Sequence, residues 1–362
     1  MLKYALLTLA IVGFMTKAND NRFTTETQLA NRYHGEITDF WQQGNFSHFN
    51  GVKELRINYA SFLHKESNKN FQHSVSNKCL VISSGRSEGY LKYKELVFDL
   101  FNLGFNVFLL DHRGQGISER ALENSHKGYV ESFQYYVDDL ATFIENIVSP
   151  HCTLDGKTQK PYLLAHSMGA AIATRYLQDY PSNIQSAVLS SPMLGFNVEG
   201  ILGLIAEPLI NISAQLNKWL DNTPWYFWGQ KDYTEVKFDN NLLMHSKLRF
   251  QQFTQLYKET PVIQQGGATI QWLIESIAAL KTIFAKIDHI TTPTLVLQSG
   301  EDKIVSNQAQ VDFCQQLHQL QPQSCPNGKP VVIKNAHHEL FFESDLYRQQ
   351  ALIAAVEWFD KH

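Results

Sequence analysis

The sequence lacks the features that mark several large protein classes. It has no block of basic residues longer than one or two, and 31 Lys and Arg against 35 Asp and Glu give a formal charge of −4. Nucleic acid is therefore not an expected partner. No internal repeat and no low-complexity tract is present, and beyond residue 18 no apolar run is long enough to cross a bilayer. The 362 residues therefore suit one large α/β domain with an insertion, or two smaller domains.

Motifs for cofactors and metal ions are also missing. No G-x-G-x-x-G follows a predicted strand. Residues that could bind a metal ion do not occur at the close spacings of metal-binding motifs. We therefore expect no cofactor and no metal. Cysteine is scarce, with four residues in the chain. An even number permits disulfides in an oxidising compartment, and the alternative is four buried free thiols. The four are Cys79, Cys152, Cys314 and Cys325, and the last two are the first pair expected because they close a short loop.

The first eighteen residues have the features of a secretory signal. Lys3 precedes an apolar run from Tyr4 to Met15, and small residues occupy the two positions read by a signal peptidase, Thr16 and Ala18. This apolar run of twelve residues is shorter than the roughly 20 residues that a membrane-spanning helix needs. We predict that residues 1–18 are a cleaved signal and that the protein is exported to the periplasm or the outside. An uncleaved anchor in the inner membrane is the alternative.

Short apolar runs alternate with amphipathic helical patterns along most of the chain. Strands are predicted for "KCLVISSG", "FNVFLLDHRG", "PYLLAHS", "QSAVLSSPM", "TPTLVLQSGED" and "KPVVIKNAHHE", with helical segments between them. Such alternation predicts an α/β fold with a mostly parallel central sheet and helices on both faces. The earlier segment "VKELRINYASFL" predicts antiparallel strands at one edge.

The alternation stops between residues 194 and 290, where only helical patterns occur. We predict an inserted helical cap there, between a first core part (19–193) and a second core part (291–362). An aromatic cluster in the cap could line an acyl tunnel or touch a membrane, or could form the cap's own small core. Its members are Trp219, Trp225, Tyr226, Phe227 and Trp228.

Ser167 lies between the predicted strand "PYLL" and a helix that begins with small side chains. A serine in a sharp strand-to-helix turn, with small residues two positions before and after it, can be a nucleophile. Those positions hold Ala165 and Gly169, and Ala165 departs from the usual G-x-S-x-G pattern. The alternative is a serine that merely caps a helix.

A serine nucleophile needs a base and an acid, and candidates follow two later strands. Asp302 follows "TLVLQ" and His338 follows "VVIK", which places both at the strand ends where α/β sheets carry ligands. Their neighbours Glu301 and His337 point the opposite way on an extended chain, so only one of each pair can face Ser167. The shorter side chain favours Asp302, whereas periodicity alone leaves both histidines open.

These segments together resemble the α/β-hydrolase superfamily. Within it the chain is most similar to the monoacylglycerol-lipase-like branch, which includes bacterial lysophospholipases, over about residues 80–343. Members of that branch also carry alanine at the position of Ala165. The resemblance implies a catalytic triad of Ser167, Asp302 and His338, the histidine being the one in the A-x-H-E pattern.

The resemblance also implies the remaining site residues and the substrate class. Backbone N–H groups of Arg86 and Met168 would form the oxyanion hole. The side chains of Arg86, Trp225 and Trp228 are candidate substrate-binding groups, and Arg86 or Arg113 could attract a phosphate. We expect a serine ester hydrolase acting on a lysophospholipid, with possible peripheral membrane contact. A monoacylglycerol lipase, a general carboxylesterase and a catalytically silent acyl-lipid-binding protein are the alternatives.

Overall fold

The structure is a computed structural model that describes residues 22–64, 78–154, 157–197, 201–221 and 223–362. Within residues 201–207 it describes the helix but not the side chains. The predicted signal segment, residues 1–18, lies outside the described residues. None of the helices in the described ranges has the length and apolar character needed to span a bilayer.

The strands follow the predicted apolar runs closely. Their bounds are β1 (Asn45–Asn50), β2 (Arg56–Phe62), β3 (Cys79–Ser83), β4 (Asn106–Leu110), β5 (Thr153–Leu154), β6 (Lys157–Thr158), β7 (Tyr162–His166), β8 (Ala187–Ser190), β9 (Thr294–Ser299) and β10 (Val331–Ile333). Eight of them form one sheet in the order β1-β2-β4-β3-β7-β8-β9-β10, and β5 and β6 form a separate small pair.

The sheet is mostly parallel, as the alternating pattern predicts. From β4 to β10 every pair of neighbours is parallel, whereas β1–β2 and β2–β4 are antiparallel. The edge prediction for "VKELRINYASFL" is therefore confirmed, with β1 as an additional strand outside it. Because the parallel strands run in one direction, the residues that follow β3, β7, β9 and β10 meet at one edge of the sheet.

Helices cover both faces of the sheet. Their bounds are α1 (Glu26–Arg32), α2 (Glu36–Trp41), α3 (Lys94–Asn102), α4 (Gln134–Phe143), α5 (Ser167–Asp179), α6 (Ile201–Leu220), α7 (Lys247–Glu259), α8 (Ile270–Ala285), α9 (Asn307–Leu320) and α10 (Asp345–Lys361). Strand side chains alternate between two apolar layers. Val81, Phe108 and Leu163 pack in the layer that contains α4 and α5, and Leu80 and Val107 pack in the layer of α3 and α10.

The predicted cap range, residues 194–290, contains helices and no strand of the main sheet among its described residues. Helix α8 lies within that range but buries Trp272, Leu280 and Ile283 in the same apolar layer as α5. Because α8 packs on the sheet layer, its structural role is that of a core helix. The described residues between β8 and α8 lie above the carboxyl ends of the strands.

All four cysteines are paired in two disulfides. Cys314–Cys325 joins α9 to the loop before β10, as the short loop predicts, and Cys79–Cys152 joins β3 to the segment after α4. The alternative of four free thiols is therefore wrong. In the chain-entropy view, closing loops of 11 and 73 residues stabilises the fold by about 3 and about 4 kcal/mol respectively.

Candidate active site

Ser167 lies at the junction of β7 and α5, where the backbone makes a sharp turn. Its φ of 52° is in the left-handed region, which a non-glycine residue adopts only when its surroundings enforce it. Gly169 permits the turn, because a Cβ at this position would lie 2.3 Å from the carbonyl oxygen of Ser84. The serine side chain is thereby held above the strand end, clear of its own backbone.

The structure brings Ser167, His338 and Asp302 into one hydrogen-bonded chain. Nε2 of His338 lies 2.9 Å from the hydroxyl oxygen of Ser167, and Nδ1 of His338 lies 2.7 Å from Oδ2 of Asp302. All three residues are buried. Their neighbours Glu301 and His337 do not take part in this chain, so the geometry resolves both open choices in the sequence.

The Asp302 carboxylate is held in its charged form. Burial alone would raise its pKa, but the hydrogen bond with His338, the charge of His338 and the amides of Ile304 and Val305 together lower the pKa below its ordinary value. A charged Asp302 fixes the proton of His338 on Nδ1 and leaves Nε2 free to accept the serine proton.

The two expected oxyanion donors belong to the first turn of α5 and to the loop after β3. Met168 is in the first turn of α5, where N–H groups have no acceptor within the helix. In the loop after β3, the Gly85 amide donates to Glu88 and the Ser87 amide donates to Gln115. No described hydrogen bond uses the Arg86 amide between them. This amide and that of Met168 are therefore available to a developing negative charge.

A cavity of about 520 Å³ opens at the serine. Its floor includes Ser167, His338, His166 and the loop after β3, and its walls come from the 229–267 segment. Apolar side chains of that segment line the upper part, among them Leu242, Phe250 and Phe253. The volume falls in the range of small-molecule sites, and the mixture of apolar walls with a polar floor suits an amphipathic ligand.

Arg86 places its guanidinium in the wall of this cavity. Nη1 donates to the carbonyl of Gly266 at 3.1 Å, and the group lies over the ring of Trp272. Burial lowers the pKa of Arg86 below its ordinary value. Among the described residues no carboxylate forms an ion pair with Arg86. The cavity therefore contains a cation without a protein counter-ion, which favours an anionic ligand group.

Trp225 and Trp228 are not among the residues that line the cavity. Trp225 donates its ring N–H to Asp221 at the end of α6, and Trp228 stacks on Phe227 with 51% of its surface exposed. Their assignment as substrate-binding residues stays a prediction.

The "DHRGQG" segment, Asp111 to Gly116, braces neighbouring loops. Asp111 accepts hydrogen bonds from the amides of Tyr90 and Ile117, and a Cβ at Gly116 would collide with its carboxylate. Arg113 forms a bidentate pair with Asp139 and does not line the cavity. The Arg113 guanidinium is thereby paired with a carboxylate, and the alternative that it attracts a phosphate stays a prediction.

Sequence reasoning missed an ion-paired cluster in the lining of the cavity. The ammonium of Lys92 lies between the carboxylates of Glu88 and Glu339, and all three are buried. Burial would raise the pKa of Glu88, but Lys92 lowers it to about 2. Glu88 also accepts the Gly85 amide, so the cluster ties the loop after β3 to the loop of His338. Glu88 lies before the helical turn that contains Lys92, so the helical i,i+4 rule gave no signal for this pair.

Histidine and carboxylate groups come together at two places in the described residues. The first includes Glu88, His166 and Glu339, but Lys92 already occupies the space between the carboxylates. Burial lowers the pKa of His166 to about 4, so the ring is neutral. The second comprises His245, His337 and Glu343, outside the cavity.

Comparison with known proteins shows the family of the chain. The Hydrolase_4 family, described as serine aminopeptidase, S33, matches residues 75–345. The chain belongs to this family. It is 37% identical to lysophospholipase L2 of Escherichia coli K12, over 94% of each protein. It is 33% identical to a probable lysophospholipase L2 of Haemophilus influenzae and 26% identical to the mouse monoglyceride lipase, the latter over 64% of this chain and 67% of the lipase.

Solved structures place this serine hydrolase in the α/β-hydrolase fold. A soluble variant of the monoglyceride lipase from Saccharomyces cerevisiae superposes with a TM-score of 0.64 at 16% identity, covering 88% of this chain and 95% of the yeast protein. The Paleococcus ferrophilus monoacylglycerol lipase gives a TM-score of 0.58 at 19% identity, over 83% and 97% of the two chains. At these identities the likeness shows the fold alone, and the predicted fold class is confirmed.

Proposed function

We propose that this chain is a lysophospholipase that releases the fatty acid of a single-acyl phospholipid. The observation that carries the proposal is the Ser167–His338–Asp302 chain at the floor of an amphipathic cavity that also contains a guanidinium. The extended similarity to lysophospholipase L2 supports the substrate class.

The geometry supports an acyl-enzyme mechanism. The Ser167 hydroxyl gives its proton to Nε2 of His338 while its oxygen bonds to the ester carbonyl carbon, and the amides of Met168 and Arg86 stabilise the oxyanion. The ester C–O bond then breaks, and His338 protonates the departing glycerophosphoryl alcohol. Water next gives a proton to His338 and attacks the acyl-enzyme. The fatty acid leaves and Ser167 recovers its proton.

Headgroup recognition is assigned to the side chain of Arg86. Its guanidinium reaches the cavity next to the loop that holds the oxyanion, and the phosphate of a lysophospholipid lies only a few bonds from the ester. A charge-assisted hydrogen bond to phosphate contributes about 1.5–3 kcal/mol, or roughly 10- to 100-fold in affinity. Monoacylglycerol has no phosphate, so it should not use this contact.

The test compares two substrates in wild type, R86Q and R86K. We expect R86Q to raise KM for lysophosphatidylethanolamine by roughly tenfold or more, with R86K intermediate, and to leave KM for monoacylglycerol unchanged. Equal losses on both substrates would show that Arg86 only braces Gly266. The backbone N–H is retained in both variants, so the oxyanion hole is unaffected.

Two alternatives are decided by the wild-type protein. A higher kcat/KM for monoacylglycerol than for lysophosphatidylethanolamine would identify a monoacylglycerol lipase, the activity named for the more distant mouse relative. Failure of Ser167 to react with a fluorophosphonate probe would indicate a catalytically silent lipid-binding protein instead.

We further propose that α6 contacts a membrane surface. Leu209, Ile212, Leu216, Trp219 and Leu220 are all exposed, and at 100° per residue they share a stripe about 100° wide. Nine of the fifteen large apolar side chains exposed in the described residues lie between 209 and 262. Such a concentration beside a lipid-sized cavity favours binding to a bilayer, where these side chains leave water.

Sedimentation with phospholipid vesicles tests this contact. The double variant L216S/W219S should lose most of its vesicle binding, whereas L346S, which removes a side chain that is 67% exposed on α10, should bind as the wild type does. Equal binding by all three proteins would contradict the proposal.

We also propose that the protein is exported. The signal-like features of residues 1–18 and the two disulfides support an oxidising compartment. N-terminal sequencing of the protein isolated from its native cells should begin after Ala18, and a start at Met1 would favour the anchored alternative.

A further inference from the structure

Two imidazoles and a carboxylate meet just outside the catalytic chain. His337 directly precedes His338, His245 lies in the segment that leads into α7, and Glu343 lies just before α10. The rings of His245 and His337 have centroids 3.8 Å apart, and Glu343 is fully buried beside them.

The carboxylate of Glu343 is fixed by the backbone. Oε1 accepts the His337 amide at 2.8 Å, and Oε2 accepts the amides of His245 and Ser344 at 2.9 and 2.7 Å. Oε1 also lies 2.7 Å from Nδ1 of His245. These contacts join three separate chain segments and leave the carboxylate little freedom to turn away from the two rings.

The cluster has the composition and size of a zinc site. One ligand atom from each residue can be chosen so that all three lie within 4.8 Å of one another. Donors around a tetrahedral zinc ion are separated by about 3.4 Å, since zinc binds nitrogen and oxygen at about 2.1 Å. Small side-chain rotations therefore close the site. Nδ1 of His337 is buried without a hydrogen-bond partner in the described part of the chain, so a lone pair or a proton there is unsatisfied.

The ligand set selects the kind of ion. Two imidazole nitrogens and one carboxylate suit zinc, whereas calcium and magnesium prefer oxygen ligands alone. The side chain of His245 is 38% exposed, which gives an ion access from solvent and leaves a coordination position for water. An ordinary hydrogen bond between His245 and Glu343 explains their contact but not the packing of His337 against the same ring.

We propose that His245, His337 and Glu343 bind one zinc ion, which ties the segment before α7 to the loop that carries His338. Zinc would replace the proton now shared between Nδ1 of His245 and Oε1 of Glu343, so binding releases a proton. The wall of the cavity and the catalytic histidine would then be linked through a single ion.

Titration calorimetry on the metal-free full-length protein tests the site, with zinc as the probe. We expect one zinc per chain, affinity reduced at least about tenfold in H245A and in H337A, and unchanged affinity in H289A, which removes an exposed histidine elsewhere. About a hundredfold excess of magnesium should not compete. No saturable binding by the wild type, or equal affinity in all four proteins, would overturn the proposal.

Thermal unfolding gives a second readout that does not depend on hydrolysis. Zinc should raise the midpoint of wild type and of H289A but not of H245A, because a ligand that binds only the folded state stabilises it. His245 is exposed and outside the catalytic chain, so H245A should fold and hydrolyse substrate without zinc. An equal zinc-induced shift in H245A and wild type would refute the site.

Discussion

At the scale of single residues, reactivity comes from position rather than from residue type. Ser167 is one of many serines, but among the described residues only here does a left-handed backbone conformation place a hydroxyl 2.9 Å from a histidine nitrogen. Asp302 then decides which nitrogen of His338 bears the proton, because its carboxylate accepts from Nδ1. The catalytic unit is therefore the chain of three groups.

The first prediction distinguishes the role of Asp302 in catalysis from that of its neighbour Glu301. D302N keeps the side-chain shape but removes the negative charge that orients His338, so kcat should fall by about 10³- to 10⁴-fold. E301Q, at an exposed position, is the matched control and should retain wild-type kcat. The hydrolysis of a soluble ester measures both, and a similar loss in E301Q would contradict the assignment.

The triad was predictable because each member follows a strand, whereas the clusters around it were not. Strand ends of a parallel sheet meet at one edge, so the apolar runs placed Ser167 together with the pairs Glu301/Asp302 and His337/His338, and the resemblance to α/β-hydrolases then selected His338. Lys92 contacts Glu339 across 247 positions, and His245 approaches His337 through the path of an irregular segment. No periodicity encodes such a path.

At the scale of elements, the junction of β7 and α5 requires the backbone of the helix to lie close to the backbone at the end of β3. Helix α5 begins over the end of β3, and at Gly169 only a hydrogen atom fits between the helix and the carbonyls of Ser83 and Ser84. This explains the small residues at the start of the helix. Ala165, on β7 and fully buried, is tolerated for a separate reason, because its methyl group packs in the apolar layer.

The second prediction concerns this junction. In G169A the added methyl would lie 2.3 and 2.4 Å from two backbone oxygens, so the helix must shift and stability should fall by roughly 1–3 kcal/mol or more. Urea unfolding measures the loss, and kcat should fall with it because Ser167 moves. An unchanged free energy of unfolding in G169A would contradict this explanation.

At the scale of the whole molecule, the buried polar groups tie stability to pH. His112 lies beneath the sheet edge, bonded to Ser83 and packed on Tyr136. Burial lowers its pKa from 6.5 to about 3, so the folded protein keeps this ring neutral in mild acid. Unfolding exposes the ring, which then takes up a proton. The contribution of His112 to stability is complete above pH 6.5 and is lost as pH falls from there towards 3.

The third prediction isolates this contribution by comparing how steeply the free energy of unfolding changes with pH in different variants. Between pH 6 and pH 4 the unfolded state binds up to one more proton at His112 than the folded state, which changes the free energy of unfolding by up to about 1.4 kcal/mol per pH unit. H112N should therefore show a shallower loss of stability in acid than the wild type, whatever its stability at pH 7. H289N, which alters an exposed histidine, should keep the wild-type slope. Urea unfolding at several pH values measures all three proteins. Parallel curves for H112N and wild type would mean that residue 112 titrates alike in both states, and that its burial does not govern the acid sensitivity of the fold.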